Sequence, residues 1–161
     1  MKNPVRFLMH VPVPWVFVLT YLLGAFLEHG VLKSLRPGAV SPKAAMLSKY
    51  AGAALFAVGL VIAGWGWGIF RKARTTTVPG KASDKLVTWG PYHFTRNPMY
   101  IGLTCCYLGE AGLMKQLWPV LVLPLMIAYL NWTVIPIEEA RLKEVFHDDY
   151  EQYRSRVRRW I

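Results

Sequence analysis

The fold class that this sequence predicts is all-α: a polytopic membrane protein of about four transmembrane helices, with a C-terminal amphipathic helix covering a site on the cytoplasmic side. Three observations predict it. Apolar residues make up 54% of the chain against 17% charged, and they are gathered into runs instead of being spread as stripes. The basic residues fall in the gaps between those runs, as in a membrane protein that shows its charge to headgroups. After the last run, apolar residues recur at spacings of three and four, the period of a helix with one greasy face. At 161 residues the chain suits one integral-membrane domain, 1–161, with N-terminal membrane helices in 1–74 and a chemistry-bearing part in 75–161.

The first run covers residues 11–27, with Pro12 and Pro14 in its opening turn, where a helix has no bond to lose. Its basic start resembles a signal peptide. No small-x-small site follows, however, and the run ends at Glu28-His29, so it is read as a retained helix. The second run, 50–70, has the roughly 20 residues that cross a hydrocarbon core. The third, 99–113, is short and contains Glu110, which is either a buried polar site or a residue at the far interface. The fourth, 117–137, is interrupted by Pro124 and Pro136. Only Met114, Lys115 and Gln116 separate runs three and four, which makes them an antiparallel hairpin.

Four crossings put both termini on one side. On that topology fourteen of the Lys and Arg residues share the face of the termini and five lie opposite (Lys33, Arg36, Lys43, Lys49, Lys115). The richer face is therefore expected to be cytoplasmic. The tail, 138–160, places Leu142, Val145, Phe146, Tyr150, Tyr153, Val157 and Trp160 on one side. It is expected to be a helix on the cytoplasmic surface, folded back over the hairpin.

Composition also excludes some classes. The net charge of +10 is dispersed between apolar runs and has no recognition motif with it, which argues against nucleic acid. Cys105 and Cys106 are adjacent inside an apolar run, so they offer no disulfide framework and serve as small core hydrophobes. The four histidines are scattered without ligand spacing, so no metal site is expected.

Two stretches concentrate polar chemistry. In residues 86–102, LVTWGPYHFTRNPMYIG, Gly90-Pro91 makes a turn, Pro98 can open the third helix, and Asn97 stands where a cap would sit. Tyr92, Arg96 and Tyr100 then gather at a helix N-terminus, where free N–H groups favour anions. The plain alternative is an interfacial turn with a snorkelling Arg and a Tyr belt. The second stretch begins with Glu138-Glu139 directly after an apolar run. A carboxylate there is costly unless partnered. Glu138 lies on the apolar side of the tail helix, and Glu139 can pair with Lys143 four residues on. A further feature, Gly64-Trp65-Gly66-Trp67-Gly68, mimics a dinucleotide fingerprint but lies within a helix. Its uses are close helix packing or passage of a ligand against bare backbone.

The two stretches, in this order, resemble the signature of integral-membrane S-adenosylmethionine-dependent methyltransferases, the isoprenylcysteine carboxyl and phospholipid methyltransferases. The resemblance covers about residues 75–161. It implies that Tyr92, Arg96, Asn97, Pro98 and Tyr100 frame the cofactor, together with Glu138 and, through the glycine run, Gly64 and Gly66. It implies catalytic parts for Glu139 and Arg156. Asn97 stands where the eukaryotic prenylcysteine enzymes have histidine, which is similar to bacterial members, and the expected location is a bacterial inner membrane with both termini cytoplasmic. His147 replaces a usual glycine after Phe146, and Arg158 a frequent proline.

The implied reaction passes a methyl group from S-adenosylmethionine to a lipophilic small molecule or lipid in the bilayer, leaving S-adenosylhomocysteine. Displacement at a sulfonium methyl depends on positioning and on excluding water. A carboxylate acceptor needs a cation such as Arg156; an amine or thiol needs a base such as Glu139 or His147. Two other readings stay open: an NADPH-dependent reductase of the sterol-reductase type, and a non-catalytic membrane scaffold. Met99 after Pro98 and Leu103 after Gly102 depart from the reductase pattern.

Overall fold

The computed structural model describes residues 12–31, 41–73 and 85–161. Lys2, Arg6, Lys33, Arg36, Arg74 and Lys81, which enter the charge count above, lie outside the described residues, as does the expected boundary at 74/75. The described part is built from helices. Helix α1 (Val13–Phe26) has Pro14 in its first turn and runs on as one π turn, Leu27–Val31. Helix α2 (Pro42–Ala73) is 32 residues long, eight residues more at its start than the apolar run. Ser41 explains the early start. Its hydroxyl accepts the Ala44 N–H at 3.3 Å, and Pro42 follows it in the first turn, where no N–H is missed.

Helix α3 (Pro98–Met114) follows a 3-10 turn, Gly90–His93. Gly90 has φ +65°, which glycine adopts without strain. The α3 C-terminus closes as a Schellman motif: the N–H groups of Lys115 and Gln116 reach back to the Gly112 and Ala111 carbonyls. Lys115 takes the left-handed conformation there (φ 55°), and the chain reverses into α4 (Trp118–Tyr129) as the expected hairpin.

Beyond α4 the expected break at Pro136 does not occur. A π turn, Leu130–Val134, leads directly into α5 (Ile135–Arg156), with Pro136 at its second position, and the widened turn upstream is where the helical ladder adjusts to the missing N–H. The tail is thus continuous with α4. The change of direction comes at His147, with φ 45° and ψ −117°. Helix α5 ends at Arg156, four residues before the expected end, and Val157 is extended.

Among the described residues three stretches are long and apolar enough to cross a membrane: Val13–Gly30, Pro42–Ala73 and Trp118–Arg156. Helix α3, at 17 residues, is about 26 Å long at 1.5 Å per residue. It is the central helix, with α2 on one side and the α1–α4 pair on the other. Outward-facing Leu19, Leu22, Val61 and Leu125 are more than half exposed, as suits side chains solvated by lipid.

The α2–α3 seam is made by backbone contact. Gly52, Gly59 and Gly66 recur every seven residues on α2, and Gly102 and Gly109 do so on α3. A methyl group on Gly102 would lie 2.5 Å from the Ala63 nitrogen, and one on Gly109 the same distance from the Phe56 nitrogen. Such close approach replaces the hydrophobic effect, which does not drive helices together in lipid. The close packing expected of the run 64–68 therefore falls on Gly66 alone. Gly64 and Gly68 face outward with nothing within 4 Å of a would-be Cβ.

His147 offers a direct check on the kink. Its φ and ψ lie in territory open mainly to glycine, at a cost of about 1–3 kcal/mol for other residues. His147→Gly is expected to raise the unfolding temperature in detergent, whereas glycine within a straight helix lowers stability. An unchanged or lower midpoint would refute the strain.

Candidate active site

Three parts of the chain meet at one end of the bundle: the loop 90–97 with the first turn of α3, the π turn with the start of α5, and the extended segment 157–160. Pro98 is fully buried at the first position of α3, which fixes where Arg96 and Tyr100 emerge on either side of it.

The Tyr100 hydroxyl donates to Glu138 Oε1 at 2.7 Å. Among the described residues nothing hydrogen-bonds to Glu138 Oε2, which leaves that oxygen open. Next in the chain, Glu139 is clamped. Arg96 Nη1 stands 3.1 Å from its Oε1, and Arg159 Nη2 2.6 Å from its Oε2, with Arg159 Nε 3.1 Å from Oε1. The Glu139 side chain is 13% exposed, so both guanidiniums act where water screens them weakly. The hydrogen bond to Glu139 pushes the Arg159 guanidinium further up.

Arg96 has two further features. Its Nη1 donates to the Tyr150 hydroxyl at 3.2 Å, while its Nε is buried without a partner. Tyr92 lies beneath, its ring edge-to-face with Phe70 of α2 at 5.2 Å and its carbonyl accepting from the Tyr153 hydroxyl. Burial first, then neighbouring Tyr153 and Glu138, push the Tyr92 phenol well above its usual range, so it remains a neutral donor. Gly66 faces the same place: a Cβ there would come within 2.8 Å of Met99 Cγ and 3.5 Å of Tyr92 Oη.

Of the residues expected from the sequence, Tyr92, Arg96, Asn97, Pro98, Tyr100, Glu138, Glu139 and Gly66 are thus brought together. Several roles change. Asn97 occupies the cap position of α3 but makes no cap; its Nδ2 donates to the Arg159 carbonyl at 2.9 Å. Glu139 has both oxygens committed to arginines and is not a free base. Its expected partner Lys143 pairs with Glu151 instead. Gly64 lies two residues from Gly66, hence about 200° round the helix. It lines a shallow outer groove with Trp67, Gly68, Arg71 and Lys72.

Arg156 is exposed at the end of α5 and takes no part in the cluster. The extended backbone from Val157 turns the chain back, so that Arg159 arrives there instead. Arg159 Nη1 also donates to the Asn131 carbonyl and Oδ1, at 3.3 and 3.1 Å. Sequence reading missed Arg159, Asn131, Tyr150 and Tyr153. Asn131 carried a signal, as a polar residue inside an apolar run; Arg159 carried none, because a terminal arginine looks like surface charge.

Over 72 residues the chain is 38% identical to the Protein-S-isoprenylcysteine O-methyltransferase of Schizosaccharomyces pombe. That stretch is 45% of this chain and 30% of the relative, so the chain spans less than a third of that protein's length. No solved structure matches the chain. The phospholipid methyltransferase family model matches residues 47–149, from within α2 to near the end of α5. That stretch carries the loop, the hairpin and both glutamates, and by it this chain belongs to the phospholipid methyltransferase family.

Proposed function

We propose that the protein is an integral-membrane methyltransferase that passes the methyl group of S-adenosylmethionine to a lipophilic acceptor. The observation that carries this reading is the division of labour between two adjacent carboxylates. Glu138 keeps one oxygen for a ligand, and Glu139 is spent in holding two arginines. The residues suit the cofactor. It carries a sulfonium, an ammonium and a carboxylate beside a ribose diol, and so it calls for an anionic acceptor and a cationic donor side by side. Glu138 Oε2 offers the first. The buried Nε of Arg96, without a partner, offers the second, and buried donors of this sort are seldom left unmade.

On this reading Glu138, oriented by Tyr100, and Arg96, oriented by Glu139, hold the cofactor, with Tyr92 and Gly66 forming the wall toward α2. When bound, the cofactor supplies an electrophilic methyl carbon on a sulfonium. The chain's own residues orient the reactants and exclude water, with no proton transfer through Glu139. The acceptor belongs to the lipid phase, and the basic end of the bundle is the cytoplasmic one.

Calorimetry in detergent tests the reading. Wild-type protein is expected to bind S-adenosylhomocysteine and not NADPH. Glu138→Gln should weaken that binding by about tenfold or more, the worth of a charge-assisted hydrogen bond. Binding of NADPH alone, or wild-type affinity in Glu138→Gln, would refute it.

A further inference from the structure

We infer that Arg159 is a positioning residue for the carboxylate pair, the pin of a clasp formed by residues 157–160 that holds the Arg96–Tyr100 side of the cluster against the Glu138 side. The inference rests on the methyltransferase reading only for the ligand it uses as a probe.

One side of the clasp is main chain. The Arg96 N–H donates to the Arg158 carbonyl at 2.9 Å, and Thr95 Oγ1 and Asn97 Nδ2 donate to the Arg159 carbonyl at 3.1 and 2.9 Å. Three consecutive loop residues are thus tied to two consecutive residues of the tail. The other side is side chain. The Arg159 guanidinium meets both oxygens of Glu139 and both oxygens of Asn131, and the Trp160 indole N–H adds a bond to Asn131 Oδ1 at 3.3 Å. Asn131 belongs to the π turn Leu130–Val134, the point where α4 passes into α5. The clasp therefore reaches from the loop before α3 to the hinge before Glu138.

Geometry explains how this reaches the ligand side. Neighbouring helix residues point about 100° apart, so fixing Glu139 sets the rotation of the first turn of α5 and with it the direction of Glu138. Arg96 alone contacts only Oε1 of Glu139, which leaves that carboxylate free to swing. Arg159 takes both oxygens and removes the freedom. A planar fork is required, since one ammonium cannot serve a carboxylate in two bonds and a second acceptor pair as well. The Arg159 guanidinium touches none of the groups offered to the ligand, so its effect on them passes through Glu139.

The test uses the full chain in detergent, with Arg159→Ala, Arg159→Lys and Glu139→Gln. Two measurements are made: S-adenosylhomocysteine affinity, and hydrogen exchange of the peptide covering 92–98. Arg159→Ala is expected to weaken affinity about tenfold to a hundredfold and to speed exchange of that peptide roughly tenfold, while peptides of the α2–α3 seam keep wild-type rates. Millimolar guanidinium should restore both properties in Arg159→Ala and neither in Arg96→Ala. Arg159→Lys should fall between, and adding Arg159→Ala to Glu139→Gln should cost little more than Glu139→Gln alone.

Wild-type behaviour of Arg159→Ala in both measurements overturns the inference. So does a loss that guanidinium does not reverse and that adds independently to Glu139→Gln, since that is packing and not positioning. If wild-type protein fails to bind S-adenosylhomocysteine, the methyltransferase reading falls. The exchange rates then decide Arg159: acceleration reversed by guanidinium upholds the clasp, and unchanged rates overturn it.

Discussion

Arg96→Ala is expected to weaken S-adenosylhomocysteine binding about a hundredfold, near the lower end of the 3–5 kcal/mol lost when one partner of a buried ion pair is removed. The lower end applies because Glu139 keeps Arg159 at 2.6 Å, so its charge is not left bare. What is lost is the buried guanidinium itself, 11% exposed, with its unmatched Nε and its bond to Tyr150. Tyr150→Phe removes only that last bond and should cost less than tenfold, about 1 kcal/mol. Arg156→Ala serves as the contrast. Its side chain is exposed at the end of α5, and a surface substitution of this kind should change affinity by less than about threefold. Calorimetry on the three variants orders them directly. Should Arg156→Ala prove as damaging as Arg96→Ala, the assignment of the cluster to Arg96, Glu139 and Arg159 fails.

Gly102→Leu is expected to unseat α3 from α2 and destabilise the protein by at least about 3 kcal/mol, beyond ordinary overpacking, because the obstruction is backbone and has no rotamer to yield. The new Cβ would stand 2.5 Å from the Ala63 nitrogen and 2.8 Å from the Gly59 oxygen. Since α3 carries Tyr100 at its start, ligand binding should be lost together with the thermal transition. Gly64→Leu is the control: nothing lies within 4 Å of its Cβ, and its midpoint should stay within about 0.5 kcal/mol of wild type. Equal tolerance of leucine at the two positions would exclude the seam. Equal sensitivity would mean that the outer face of α2 is packed as well.

Much of the fold could be read from residue patterns because lipid enforces simple rules. An apolar run long enough to cross a bilayer must be helical to satisfy its own backbone, and a three-residue connection leaves only a hairpin. The runs containing Phe17, Val58 and Leu121 were identifiable for that reason. Their ends were less so. Helix α2 begins at Pro42, outside its apolar run, because Ser41 caps it. The helical path does not stop at Pro136, because the π turn Leu130–Val134 carries α4 straight into α5. The α2–α3 seam is written in the sequence as glycines seven apart, whereas the denser run 64–68 gives it only Gly66. Spacing of seven keeps one face of a helix, whereas spacing of two alternates between faces.

For the candidate site, the sequence by itself determined which residue types are concentrated at the membrane boundary. Tyr92, Arg96, Tyr100, Glu138 and Glu139 stand out because ionisable and phenolic groups beside apolar runs are expensive unless partnered. It also determined that the hairpin brings the two stretches back to the same end. Only the tertiary structure decided who partners whom. It gave Glu138 to Tyr100 and left one carboxylate oxygen open. It clamped Glu139 between Arg96 and Arg159, and it turned Gly64 and Arg156 outward. Pairings of that kind depend on helix rotation, on the kink at His147 and on an extended turn at Val157. Such angles are set by contacts between residues tens of positions apart in the chain, and no local pattern records them.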